Sequence, residues 1–216
     1  VDAQYVIQLG ADPHKVIVTG NTKYDQNYSL VTEEEKLKLQ MELGLTKSYP
    51  LLIAGSTHRG EEEILLEVLR QIRSEFPDIK MILAPRDVPR SEGIIEMVRR
   101  AGITAELRSN MLSLAAQQRA EVTIVVLDSI GELGRFYSLA DLVFVGGSLV
   151  SHGGHNILEP AAQGKPIIVG PNMFNFRDTY ALFSKRNACV TVLDGQELTQ
   201  KTLELLRNRQ SAEQMG

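Results

Sequence analysis

The side chains best placed to do chemistry sit around a glycine-rich stretch, residues 144–170. Gly146, Gly147, Gly153 and Gly154 precede His155, Asn156 and Glu159. Glycines let a backbone come close to a ligand, and a glycine turn that runs into a helix start offers free N–H groups and the positive end of a dipole to an anion. Asn156 and Glu159 are three apart and share a helix face near its open end. A phosphate would then lie on the glycines, served by Gly154 and Asn156. His155 would either join them or cap the helix, and Glu159 would accept from a pair of hydroxyls. The plainer reading of Glu159 is a first-turn acid that stabilises its helix by up to about 1 kcal/mol. Arg86 follows a strand end as a cation for an anionic ligand, or as a solvated arginine. Ile130-Gly131-Glu132 lies at a strand-to-helix turn where Gly131 allows close backbone approach; Glu132 is equally at home as a dipole-favoured acid. His58, beside Ser56, either faces a cleft or donates to a nearby carbonyl, and Ser56-Thr57 with His58 makes no catalytic triad by local order alone.

The elements that must position these groups alternate regularly. Apolar runs at Lys15 to Thr19, Pro50 to Ala54, Lys80 to Ala84, Thr104 to Leu107, Val122 to Leu127, Leu142 to Val145, Pro166 to Val169 and Asn187 to Val192 read as strands. Val1 to Leu9 reads as a helix tail with Gly10 as its C-cap, and Gly20-Asn21 closes the run after it. Thr32 caps a helix to Gly44, Glu61 to Phe76 is strongly periodic, Ser91 caps a helix to Gly102, and Ser129 to Leu133 opens another. His155 or Asn156 opens one that Gly164 ends, and Gly195 to Asn208 is the last; Asn110 to Ala120 is ambiguous. Alternation of this kind implies an α/β fold, a Rossmann-like, doubly wound parallel sheet of about six strands. Ligands of such sheets bind beyond the carboxyl ends of the strands, where this chain has the loops Gly55 to Gly60, Pro85 to Arg90, Asp128 to Glu132, Gly146 to Asn156 and Gly170 to Asn175.

Composition excludes several function classes. The 216 residues are 43% apolar and 23% charged, as in an ordinary globular domain, and a formal net charge of −4 gives no basic footprint for nucleic acid. Cys189 is the one cysteine, so no internal disulfide or cysteine-based metal site is expected. No Gly-x-Gly-x-x-Gly follows a strand and no Walker A pattern occurs, so NAD and P-loop readings are poor. Asp-x-Asp, His-Glu-x-x-His and Cys clusters are missing, so no metal is expected. No apolar run approaches membrane-spanning length and the N-terminus is no signal peptide, so this piece is expected to be soluble. It starts at Val1, mid-pattern, as an excised piece would.

Taken together, Gly55-Ser-Thr-His-Arg-Gly-Glu-Glu63, Pro85-Arg86, Ser129-Ile-Gly-Glu-Leu133, Gly146-Gly-Ser-Leu-Val150, Gly153-Gly-His-Asn-Ile-Leu-Glu-Pro160 and Gly170-Pro-Asn-Met-Phe-Asn-Phe176 resemble the C-terminal half of 3-deoxy-D-manno-octulosonic acid (Kdo) transferases. The likeness runs from about Leu9 to about Val192 and rests on the order and spacing of the motifs. It implies the C-terminal half of a GT-B glycosyltransferase. Residues 1–14 would end an interdomain linker and residues 15–216 would bind the CMP-sugar donor, with the final helices cut short. The activity implied is Kdo transfer from CMP-Kdo to a lipid A precursor in lipopolysaccharide synthesis, at the cytoplasmic face of the bacterial inner membrane. No cofactor is implied. The catalytic base would be a glutamate of the N-terminal domain, which would also bind the lipid acceptor, so this piece alone would be inactive.

The resemblance implies a nucleotide set of Pro85, Arg86, Ile130, Gly131 and Glu132 from two loops, with the main chain of the second reading cytosine. Gly154, Asn156, Ile157, Leu158 and Glu159 would complete it, Glu159 on the ribose. Ser56, His58, His155 and Asn175 are candidates for the donor-sugar side of the cleft. Arg59, Asp87 and Ile157 stand where the family more often has Glu, His and Pro. The alternatives are a UDP-sugar GT-B transferase or epimerase, and a non-catalytic nucleotide-binding module.

Overall fold

A computed structural model describes residues 2–19, 28–45 and 49–216. Seven parallel strands form its sheet: β1 (Leu51–Thr57), β2 (Lys80–Pro85), β3 (Ala105–Leu107), β4 (Ile124–Val126), β5 (Leu142–Val145), β6 (Ile167–Val169) and β7 (Val190–Thr191). Their order is β3-β4-β2-β1-β5-β6-β7. The direction of winding reverses between β1 and β5, so their carboxyl ends open the crevice where ligands of such sheets bind.

After α1 (Asp2–Gln8), helices cover both faces: α2 (Glu33–Glu42), α3 (Glu61–Ile72), α4 (Ser91–Arg100), α5 (Ala116–Glu121), α6 (Leu133–Phe136), α7 (Leu158–Ala162), α8 (Arg177–Lys185), α9 (Gly195–Arg207) and α10 (Arg209–Met215). Strand side chains alternate between the faces with period two. Leu52, Ala54, Met81, Leu83, Leu142 and Phe144 pack on one side against Leu65 and Leu69 of α3, Ile94 and Val98 of α4 and Leu198 of α9. Ile53, Ile82, Val143, Val145 and Val169 pack on the other against Leu39 of α2 and Phe136 of α6. Both faces are dry, which is why these strands read as unbroken apolar runs. Each fully buried large aliphatic side chain contributes about 1.5–3 kcal/mol.

Most expected elements are present with shifted ends. Seven strands form instead of about six because the short Ala105–Leu107 and Val190–Thr191 both join the sheet. Lys15 to Thr19 is not among them: a 3-10 turn at Pro13–Lys15 leads into extended chain with Ile17 and Val18 exposed. A β-branched run makes a strand only where an edge accepts it. Gly20 and Asn21 lie outside the described residues. Gly10 takes φ +102° after α1, as a C-cap does. Thr32 heads a full capping box with Glu35 at the start of α2. Ser91 is no cap: the residue before α4 is Arg90, and the Ser91 hydroxyl donates to the Leu127 carbonyl at 3.3 Å. Helix α8 had no counterpart in the sequence reading.

Candidate functional site

At the crevice the backbone is crowded. Ser56 takes φ 56° at a register shift between Gly55 and Thr57. Left-handed backbone costs a non-glycine residue about 1 kcal/mol or more. Its carbonyl lies so near β5 that a Cβ on Gly146 would sit 2.5 Å from it. Gly146 is therefore glycine because of a neighbouring strand.

A cleft of about 520 Å³ opens here, within the usual range of about 300–1,000 Å³ for small-ligand sites. Ser56, Pro85, Arg86, Ile130, Gly131 and Glu159 line it, and so do Tyr28, Ser29, Gly134, Arg135 and Gln163. The turn after β4 faces the opening directly: Ile130 is 89% exposed, and Gly131 has φ +88° with no atom within 4 Å of where a Cβ would sit. Arg86 is exposed, and among the described residues it has no ion-pair partner. Across from it, Glu159 is oriented by Asn156, whose Nδ2 donates to Glu159 Oε1 at 3.2 Å and to Tyr28 Oη at 2.9 Å. Asn156 Oδ1 accepts from Leu158 N at 3.1 Å, so one amide both caps α7 and aims its carboxylate. Gln163 ties the Tyr28 strap down, donating to Ser29 O at 3.0 Å.

Helix α7 starts at Leu158, two or three residues later than His155 or Asn156, and is five residues long. Pro160 has no N–H and belongs in a first turn, where none is needed. Much of the glycine turn before it has already used its donors. Glu61 Oε2 accepts from Gly147 N at 2.7 Å and His58 N at 2.9 Å, and its Oε1 accepts from Ser148 N at 3.1 Å and Leu149 N at 3.0 Å. Burial raises the Glu61 pKa while these four donors hold it down. Gly154 N donates to Gly147 O at 2.8 Å, and a Cβ on Gly154 would strike Met173 Sδ. The anion in this nest belongs to the protein itself.

The other expected residues are set back from the cleft. Ile157 is fully buried in the core and Leu158 is half-buried. Glu132 accepts from the Ser129 hydroxyl and from Arg135 Nη2 at 3.2 Å, with buried Arg108 at 3.8 Å; it orders its own turn. Asn175 donates to His152 O at 2.8 Å on the outer side of the glycine turn. His58 meets His155 instead of a carbonyl, Nε2 to Nε2 at 2.8 Å, and His152 stacks on His58 with centroids 4.0 Å apart. Burial pushes the His58 imidazole below its usual value and His155 down to about 4. Gln163, one turn beyond Glu159, was open to discovery by helical spacing; Tyr28 and Arg135 carried no such signal. Among the described residues no group of three His, Cys, Asp or Glu is placed to hold a metal ion, and no helix is long and apolar enough to cross a membrane.

A family model for "Glycosyl transferases group 1" matches residues 8–216. The chain belongs to that family. Among its relatives, the Kdo transferase of Haemophilus influenzae is 35% identical over 212 residues, 96% of this chain and 48% of that protein. The Kdo transferase of Rickettsia conorii is 30% identical over 217 residues, 98% and 44%. The chain thus spans about half the length of the curated relatives it matches. The C-terminal CMP-Kdo binding domain of WaaA from Acinetobacter baumannii superposes with a TM-score of 0.76 at 30% identity, covering 84% of this chain and 92% of that one. Anabaena HepE with UDP-glucose shares the fold at TM-score 0.61 and 16% identity, with 99% of this chain on 54% of that one. The likeness to Kdo transferases read from the motifs, and the α/β fold of a group 1 enzyme, both hold.

Proposed function

We propose that this chain is the donor half of a Kdo transferase and binds CMP-Kdo in the cleft beyond the carboxyl ends of β1, β2 and β4. The observation that carries the proposal is the match to the Acinetobacter baumannii domain, named for CMP-Kdo binding, over 92% of its length. Chemistry of the cleft supports it. Arg86, without an ion-pair partner among the described residues, is the cation for the phosphodiester. Glu159, aimed by Asn156, takes the vicinal ribose hydroxyls. The exposed main chain at Ile130 and Gly131 reads the cytosine edge. Pro85 packs beside Arg86, while Gly154, Ile157, Leu158 and Glu132 act through the shape of the loops they hold.

Glycosyl transfer needs a base for the acceptor hydroxyl and stabilisation of the leaving phosphate. In this proposal the chain supplies the second. The base and the lipid A precursor site belong to the other, N-terminal half of the protein, residues 1–14 being the end of the linker from it, and the reaction takes place at the cytoplasmic face of the inner membrane. A phosphodiester carries one charge where a diphosphate carries more, so an arginine suffices and no divalent metal is required.

Calorimetric titration of the protein with CMP, UMP and AMP, repeated with EDTA, tests the proposal. CMP should bind most tightly and EDTA should leave its affinity unchanged. Tighter binding of UMP overturns the CMP-sugar reading in favour of a UDP-sugar enzyme.

A further inference from the structure

The geometry points to a second subsite beside the nucleotide cleft: His58, His152 and His155, with Arg86, bind the carboxylate of an acidic donor sugar and take up a proton with it. This rests on the reading of the cleft as a nucleotide-sugar site.

Three of the four histidines meet here from two different loops. The cluster adjoins the cleft at its His58 end. Ser56 and Arg86 are cleft residues, His58 is two residues beyond Ser56, and Arg86 N donates to Thr57 O at 3.0 Å. Gly147 packs so closely on the rings that a Cβ there would sit 3.0 Å from His155 and 3.2 Å from His58. The rings are partly exposed and do not fill core.

Among the described residues the cluster has no acidic partner left free for it. Glu61 is saturated by four backbone N–H groups. Glu62 accepts from the Thr57 hydroxyl at 2.9 Å and from both Arg90 amines at 3.1 and 3.0 Å. The remaining charges acting on the rings, Arg86 and Arg90, are cationic. Three imidazoles beside Arg86, which is shared with the phosphodiester, are a site for a second external anion.

The hydrogen bond between the two Nε2 atoms fixes the proton arithmetic. In the neutral pair one ring carries hydrogen on Nε2 and the other on Nδ1. One added proton leaves the bridge intact and puts hydrogen on both Nδ1 atoms, so the pair gains a donor and a charge. Without a ligand that proton is disfavoured. Burial lowers the His58 and His155 pKa values, His152 and Arg86 lower both further, Arg90 adds to the effect at His58, and only Glu62 opposes it. A carboxylate supplies the missing counter-charge and raises the pair's proton affinity. Linkage then requires the affinity for the carboxylate to rise as pH falls towards the free-state value of about 4 for His155. A neutral sugar brings no counter-charge and has no such dependence.

The test is titration of the protein with CMP-Kdo and with its carboxyl methyl ester at pH 8, 7 and 6. Both the carboxylate and the phosphodiester stay ionised over this range. The acid should bind about tenfold tighter than the ester at pH 6, and the ratio should shrink about threefold by pH 8. His58→Gln and His155→Gln should each flatten the pH profile of the ratio. A wild-type ratio that does not change with pH overturns the inference without recourse to a variant, and so does a profile that survives both substitutions. If CMP binds but acid and ester are equivalent, the subsite fails and the nucleotide site stands. If neither ligand nor CMP binds, the donor-site reading falls and takes this inference with it.

Discussion

Two glycine-bearing turns leave the carboxyl ends of β4 and β5, and they do opposite things. The turn after β5 has more glycines and looks the better anion site, yet three of its N–H groups close on the carboxylate of Glu61, which is fully buried. The turn after β4 has Gly131 alone, and it faces the cleft with Ile130 almost bare. Glycine content therefore measures how tightly backbone must pack, and not whether a ligand is what it packs against. One turn is a staple between β1, α3 and β5; the other is a reading edge.

The sharpest way to break this contrast is Glu61→Ala. It leaves four donors without that acceptor, Gly147 N and Ser148 N of them buried, and each orphaned buried group costs about 1–3 kcal/mol. A loss of about 3 kcal/mol or more in urea unfolding is expected; a loss below about 1 kcal/mol would show the turn to be open after all. Next comes Glu159→Gln, across the cleft from the open turn. CMP affinity should fall about tenfold, or about 1.4 kcal/mol, and the preference for CMP over 2′-deoxy-CMP should shrink with it. An unchanged ratio places the ribose elsewhere. The smallest effect is expected at the open turn itself. Gly131→Ala meets no atom within 4 Å but keeps a φ of +88°, so stability should drop by about 1 kcal/mol while the thermal transition stays cooperative. A collapse as large as that of Glu61→Ala would make the two turns alike.

Local signals were readable wherever the deciding partner lies within a turn of the chain. The capping box at Thr32 and Glu35, the C-cap at Gly10, the apolar strands β1, β2 and β5, and the periodic α3 and α9 are all of this kind. The pairing of Asn156 with Glu159 is too, and it survives as a real hydrogen bond. Helix α8 went unread because three of its nine residues, Arg177, Asp178 and Lys185, are charged, and Thr179 is its one buried residue. Ser91 misled because a hydroxyl that resembles a cap is spent on Leu127 O, 36 residues away.

What the sequence determined by itself is the alternation of elements, hence the parallel α/β sheet, and the set of loops at its carboxyl edge; both follow from period, length and turn chemistry, which are local. Which loop groups face a ligand was decided by the tertiary structure. Glu61 reaches Gly147, 86 residues on, Asn156 reaches Tyr28 across 128, and His58 finds His155 across 97. A carboxylate, an amide or an imidazole has the same pattern in sequence whether it meets a ligand or a backbone N–H. The winner is set by which partner folding brings within 3 Å or so, a hydrogen-bond length, and only the winding of β1 against β5 brings these partners that close.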